Sequence, residues 1–111
     1  MGLSNINYPV SDIAAAKALF TELLGVEPHT DTEYYVGYNV DGLEVALNPG
    51  GAQQGLTGAS PFWAVPDVDA ALARLEAAGA SVTQPPMQVA PGVTLAALTD
   101  ADGNTIGIIT G

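Results

Sequence analysis

The side chains best suited to acid–base or metal chemistry in this 111-residue chain are one histidine, His29, and twelve aspartates and glutamates, and cysteine is absent. The lack of cysteine excludes a disulfide framework, a thiolate metal site, an iron–sulfur cluster and a cysteine nucleophile. His29 follows Pro28 beyond a predicted helix, and it has no serine and carboxylate partners at a readable spacing, so no Ser-His-Asp triad is predicted. We expect His29 to be a solvent-facing histidine in a loop or at a strand end.

Most of the aspartates stand where local structure explains them. An aspartate at a helix start accepts a hydrogen bond from a free backbone N–H, and an aspartate in a turn bonds its own backbone. The helix-start residues are Asp12, Asp67 and Asp69, and the turn residues are Asp41, Asp100 and Asp102. The glycine-rich segment NPGGAQQGLTG lacks lysine and does not lead from a strand into a helix, so it is interpreted as a linker and not as a nucleotide-binding loop.

The charge of the chain is strongly negative, since only Lys17 and Arg74 oppose the twelve acidic residues and the net charge is −10. Binding to nucleic acid needs many Lys or Arg contacts to phosphate, and two basic residues cannot supply them. The same deficit argues against an anionic membrane surface and against strong electrostatic steering of phosphorylated or CoA-type substrates. A cationic ligand would be attracted by this charge, but a solvated acidic surface is the simpler explanation. With no apolar run of about 18 residues and no signal-peptide pattern, we expect a cytoplasmic protein.

The predicted elements occur twice in the same order: strand, helix, strands. Asp12 and Asp67 open the two helices 55 positions apart, and the Asp-Gly turns at 41–42 and 102–103 are 61 positions apart. The agreement of helix start, helix stop and hairpin turn indicates an internal repeat. The predicted ranges are a strand at 3–10 that ends near Pro9, a helix at 13–24, a hairpin at 33–47, a strand at 61–65, a helix after Asp67 to 78, and strands from 82 (interrupted at 85–86), at 93–99 and at 105–110.

The stretches PVSDIAAAKALFTELLGVEP and VPDVDAALARLEAAGASV, closed by TDADGNTIGII, resemble the two halves of the vicinal oxygen chelate superfamily, the glyoxalase, bleomycin-resistance and extradiol dioxygenase family. The resemblance covers essentially the whole chain. It implies an α+β fold of two tandem βαβββ modules, whose curled mixed sheets form a cup with the helices outside. The single domain 1–111 then consists of module one at 1–50, a linker at 51–58 and module two at 59–111. Pairs of modules, often from two subunits, enclose the ligand site in this family, and we expect a homodimer.

Metal-dependent members of that superfamily take their ligands from fixed places, which here hold Asn5, Ala46, Ser60 and Gly107. Divalent metals prefer carboxylate or imidazole ligands, and none of these four residues offers one. We therefore expect no metal and no cofactor. Glu44 shares a strand face with Ala46 by the period-two geometry of a strand and could reach the cup, but one carboxylate does not make a chelate.

The resemblance also assigns the two faces of the strands. The residues assigned to the cup are Asn5, Asn7, Glu44, Ala46, Asn48, Ser60, Phe62, Ala64, Thr105 and Gly107; those assigned to the helices are Ile6, Tyr8, Val45, Leu47, Trp63, Val65, Ile106 and Ile108. We expect Trp63 to lie in the core and Phe62 to be available for stacking on a ligand ring. Which of Tyr34, Tyr35 and Tyr38 face the cup stays open, as does the alternative that the polar residues only satisfy backbone groups.

The first functional hypothesis is a metal-independent protein that sequesters a small drug or metabolite, with Asn5, Asn7, Glu44, Ser60 and Phe62 as contacts. The alternative is a lyase, isomerase or dioxygenase-like enzyme of the same superfamily, either with substituted metal ligands or with Glu44 as general base. A third hypothesis is a relative that has lost catalysis and serves assembly. A bound metal would favour the enzyme, and saturable binding without turnover would favour sequestration. The absence of any small ligand would favour the assembly role.

Overall fold

The computed structural model describes residues 2–51 and 58–110, so the predicted linker at 51–58 lies outside the described residues except for its two end positions. The chain divides into two compact units. The first unit is Asn5–Ala59, and the second unit is Ser60–Gly111 together with Met1–Ser4. Each unit contains the predicted succession of one strand, one helix and three further strands.

In the first unit the sheet has the order β2-β3-β4-β1, with β1 parallel to β4 and the other pairs antiparallel. Strand β1 ends at Pro9 as predicted, because proline has no N–H to donate to a neighbouring strand. The short strand β2 was not predicted. The elements are β1 (Leu3–Pro9), α1 (Ile13–Leu24), β2 (Thr30–Asp31), β3 (Val36–Val40) and β4 (Leu43–Asn48).

The second unit has the same topology, since its order β5-β8-β7-β6 also places the strand before the helix parallel to the last strand. This correspondence confirms the α+β class and the repeated βαβββ modules. The predicted interruption at 85–86 is wrong: β6 continues through both prolines, and its register to β7 shifts between Gln84 and Met87. The elements are β5 (Ser60–Ala64), α2 (Val68–Ala77), β6 (Ser81–Ala90), β7 (Val93–Thr99) and β8 (Thr105–Thr110).

The two helices begin in the same way. A carboxylate oxygen of Asp12 accepts a hydrogen bond from the backbone N–H of Ala15, and one of Asp67 accepts from Ala70, each at 3.1 Å. Helix α1 stops at Gly25, whose φ of 70° is the left-handed conformation that favours glycine at a helix end. With 12 and 10 residues, α1 and α2 fall short of the roughly 20 residues that a membrane-spanning helix requires.

In the first unit, α1 covers the face of the sheet that carries Val45 and Leu47, as the face assignment predicts. Tyr38 is fully buried on this face. Its hydroxyl donates to the carbonyl of Lys17 and lies 2.7 Å from the hydroxyl of Thr21, so the one polar atom of this buried ring is satisfied by α1. Since successive side chains alternate, Glu44 and Ala46 face away from the helix.

In the second unit, the buried residues of α2 pack on β7 and β8. Val68, Ala71 and Leu72 contact Ala96, Leu98 and Ile108 in one apolar cluster. Trp63 lies on the helix-facing side of β5 as predicted, but the expectation that it belongs to the core is wrong, because 39% of its surface is exposed. The indole lines a groove whose walls also include Ala71 and Leu75 of the helix.

Candidate functional site

The first unit brings the only histidine of the chain onto Glu44. The backbone N–H of His29 donates to the carbonyl of Gly37, which places the histidine beside β3 directly before β2 begins. Its Nε2 then lies 2.7 and 2.9 Å from the two carboxylate oxygens of Glu44. His29 directly precedes β2 and its side chain is 45% exposed, which agrees with the expected solvent-facing position at a strand end. The contact with Glu44 was not predicted.

Tyr35 completes the arrangement from the other side. Its hydroxyl donates a hydrogen bond to Oε2 of Glu44. Burial, followed by the hydrogen bond and the charge of Glu44, holds the pKa of the Tyr35 phenol well above its usual range, so the phenol stays protonated. The open question about the tyrosines is thereby answered: Tyr35 lies on the face of Glu44, Tyr38 lies under α1, and Tyr34 is exposed.

A glycine makes room for these three side chains. A Cβ at Gly37 would lie 2.5 Å from Oε2 of Glu44, 2.6 Å from the Tyr35 ring and 2.9 Å from the His29 ring. Any other residue at this position would collide with the cluster. The pairing partner of Gly37 on β4 is Ala46, so both of these paired positions beneath the cluster hold small residues. A glycine inside a strand often marks a close approach of this kind.

Two asparagines stand beside Glu44 on the parallel strand β1. Asn5 pairs with Glu44 and Asn7 pairs with Ala46, so their side chains share the face of the carboxylate. The Oδ1 atoms of both asparagines are buried and meet no hydrogen-bond donor among residues 2–51 and 58–110. Asn48 behaves differently, since its Oδ1 accepts from the backbone N–H of Gly50. Satisfaction of the backbone therefore accounts for Asn48 but not for these two atoms of Asn5 and Asn7.

The other two predicted contacts, Ser60 and Phe62, lie in the second unit on β5. Ser60 is fully buried. Phe62 is 3% exposed and pairs with Gly107 of β8. A Cβ at Gly107 would lie 2.5 Å from the Phe62 ring, so the ring fills the space that a side chain at position 107 would need. Part of the Phe62 ring is thus already in contact with the strand beside it.

The residues at the superfamily's ligand places do not fit a divalent metal. Ala46 has no donor atom, and the carboxylate expected at position 107 is replaced by glycine with the Phe62 ring packed against it. Within the part of the chain that the structure describes, no three His, Cys, Asp or Glu residues are grouped closely enough to hold a metal. His29 and Glu44 contribute only two such groups, and the protonated phenol of Tyr35 does not add a third anionic or imidazole ligand.

Comparison with known proteins agrees with the topology. The sequence matches the Glyoxalase/Bleomycin resistance protein/Dioxygenase superfamily over residues 2–108. Among solved structures, an NAD-dependent benzaldehyde dehydrogenase from Legionella pneumophila is similar with a TM-score of 0.76 and 18% identity, each chain being 96% covered. A member of the same superfamily from Vibrio splendidus has a TM-score of 0.71, 18% identity and 96% coverage of both chains.

The methylmalonyl-CoA epimerase of Streptomyces coelicolor, solved with 2-nitronate-propionyl-CoA, has a TM-score of 0.71 and 18% identity, covering 98% of this chain and 96% of the epimerase chain. At such identities the solved structures establish the fold alone. No curated protein sequence matches this one. Because the family match extends over nearly the whole sequence, the chain belongs to the Glyoxalase/Bleomycin resistance protein/Dioxygenase superfamily.

Proposed function

We propose that this protein binds a small organic cation, without a metal, at the acceptor face of its first unit, which we define as Asn5, Asn7 and Glu44. The observation that carries the proposal is the chemistry of that face. It presents the carboxylate of Glu44 together with the amide oxygens of Asn5 and Asn7. These two amide oxygens are buried and have no hydrogen-bond donor among the described residues. A ligand with N–H groups supplies the donors that the two amide oxygens lack and a counter-charge for the carboxylate.

The carboxylate of Glu44 has room for such a ligand. A carboxylate offers about four lone-pair positions, and here one hydrogen from His29 and one from Tyr35 occupy two of them. A buried acceptor left without a donor costs about 1–3 kcal/mol, and a ligand recovers that free energy if the Asn5 or Asn7 side chain turns its oxygen toward it on binding. Hydrogen bonds from a charged donor are stronger than neutral ones, which favours an ammonium group over a hydroxyl.

His29 and Tyr35 act on Glu44 as positioning residues. They approach its carboxylate from two separate segments and hold it in one orientation before a ligand arrives. Ordering a binding group in advance lowers the entropic cost of association. The net charge of −10 adds a long-range attraction for cations. Together these features support sequestration of an amine.

Thermal unfolding in the presence of a chelator tests the proposal. The probes are amines from phenethylamine to spermidine, each compared with a neutral alcohol and a carboxylate of similar size. An amine at about ten times its Kd should stabilise the protein by about 1.4 kcal/mol and raise Tm by about 6 °C. Glu44→Gln should abolish the rise, whereas Glu76→Gln, which removes the same charge from α2, should retain it. An equal rise in both variants, or none with any amine, would overturn the proposal.

An enzyme that uses Glu44 as general base is the second candidate, because the carboxylate contacts a histidine that can exchange a proton with it. Structural neighbours that are enzymes, such as the methylmalonyl-CoA epimerase, give this candidate its precedent. The two functions differ in the fate of the bound molecule. Mass spectrometry after prolonged incubation should return the amine unchanged if the protein sequesters it. Conversion that stops in the Glu44→Gln variant would support the enzyme instead.

A further inference from the structure

We propose that the second unit carries a separate site for a small carboxylate with an aryl or alkyl body, in the groove beside α2. The groove has a volume of about 310 Å³, which is at the small end of the usual range for ligand pockets. Its walls include Trp63, Val65, Leu75 and Ile106, and Arg74 stands among them. None of these residues belongs to the acceptor face, so the inference does not depend on the function proposed above.

The groove follows from the alternation of residues in two strands and the spacing of a helix. Trp63 points to the helix side of β5 and pairs with Ile108 of β8, and Val65, directly after β5, packs against the apolar cluster under α2. Ala71, Arg74 and Leu75 have the spacing that places residues on one side of a helix. Trp63 keeps an exposed apolar surface at the edge of the groove, since 39% of its surface is exposed.

Charge decides which ligand this groove would take. The chain has only two Lys and Arg residues, and Lys17 is already paired with Asp31. Arg74 forms no ion pair with any residue that the structure describes. A guanidinium donates two parallel hydrogen bonds to a carboxylate, and it does so better than lysine. The net charge of −10 repels anions at long range, so the attraction must be local: Arg74, unpaired among the described residues and beside apolar walls, favours a carboxylate with an apolar body.

The surroundings also indicate how the ligand would lie. A neighbouring hollow shares Leu75 and Ile106 with the groove and ends at Asp100. The carboxyl group of Asp100 has a lowered pKa, because the side chain and backbone of Asn104 donate hydrogen bonds to it, so it repels a second anion. The carboxylate of the ligand therefore contacts Arg74, and its apolar body lies along Trp63 and Leu75.

Trp63 is the only tryptophan, so intrinsic fluorescence reports on this groove directly. The probes are 4-phenylbutyrate, 4-phenylbutan-1-ol and 4-phenylbutylamine. We expect a saturable change in emission with the carboxylate and binding about tenfold weaker for the alcohol, since a charged hydrogen bond is lost. Arg74→Gln should weaken binding of the carboxylate by a similar factor. Lys17→Gln removes the same charge from the first unit and should leave the affinity unchanged.

Three results would overturn the inference. The first is equal binding of the carboxylate and the alcohol, and the second is an equal loss of affinity in Arg74→Gln and Lys17→Gln. The third is a change of Trp63 emission with protein concentration alone, which would mean that a second copy of the chain covers the groove. Arg74 is exposed, so its replacement should leave folding intact, and circular dichroism checks this. Failure of amine binding at Glu44 would leave these results unaffected.

Discussion

Replacing Gly37 with alanine disturbs the His29, Glu44 and Tyr35 cluster without changing any charge. Gly37 does not have a positive φ, so the effect of the new methyl group is steric. The methyl carbon would lie 2.5–2.9 Å from the three side chains, whereas ordinary contact begins near 3.4 Å. The side chains must therefore retreat by about 0.5–0.9 Å, which disturbs the hydrogen bonds of His29 and Tyr35 to Glu44.

The decrease in the free energy of unfolding follows from these contacts. A partly exposed pair such as His29 and Glu44 contributes about 1 kcal/mol at most, and overpacking against movable side-chain ends adds about 1 kcal/mol. The expected loss of about 2 kcal/mol lowers Tm by about 8 °C. Gly58→Ala is the matched control, since a Cβ there meets nothing within 4 Å. Urea unfolding of both variants measures the difference.

The single histidine allows a second measurement on the same variant. With Glu44 accepting its hydrogen bond, neutral His29 should carry its proton on Nε2, and nitrogen NMR of the one imidazole detects that tautomer. Gly37→Ala should give a mixture of the two tautomers and should no longer bind the amine probes. Wild-type stability together with an unchanged tautomer would refute the close approach at Gly37.

Two further predictions concern Tyr35 and Gly107. Because the pKa of the Tyr35 phenol is raised in the folded protein, wild-type stability should fall as pH rises above about 10, where the unfolded chain loses this proton and the folded chain keeps it. Tyr35→Phe should lose less stability than the wild type between pH 9 and pH 12. Urea midpoints that fall equally with pH in both proteins would contradict this. Gly107→Ala should destabilise the protein by about 1–3 kcal/mol, because its methyl would meet the buried Phe62 ring at 2.5 Å. Adding Phe62→Leu should recover part of that loss, and strictly additive penalties would show that the two positions do not compete for space.

Features that depend on near neighbours could be predicted from the sequence. The bounds of α1 at Ile13–Leu24 agree with the prediction, since Asp12 and Gly25 act on the turns beside them. The Asp41-Gly42 turn was also predictable, and both residues have the positive φ that a tight hairpin needs. The repeat of these local signals was enough to establish two modules of the same topology.

The cluster at Glu44 depends on pairing that leaves almost no local pattern. Strand β2 has two residues, too few for an alternating pattern, so nothing in the sequence shows that His29 lies beside Gly37. One signal was available. A glycine inside a strand suggests a close approach, and counting two residues back from Gly37 places Tyr35 on the same face. Trp63 shows a different limit, because its face followed from alternation but its exposure depends on which residues of α2 pack beside it.

The most direct test of the central claim is a thermal titration of chelator-stripped protein, first with Mn²⁺, Fe²⁺, Ni²⁺ and Zn²⁺ and then with the amine probes. A ligand that binds the native state must raise Tm by mass action. If the acceptor face binds an organic cation without a metal, the metals should leave Tm unchanged and an amine should raise it by about 6 °C at roughly ten times its Kd. A saturable rise at micromolar metal, with no response to any amine, would contradict the claim and make metal-dependent chemistry the leading explanation.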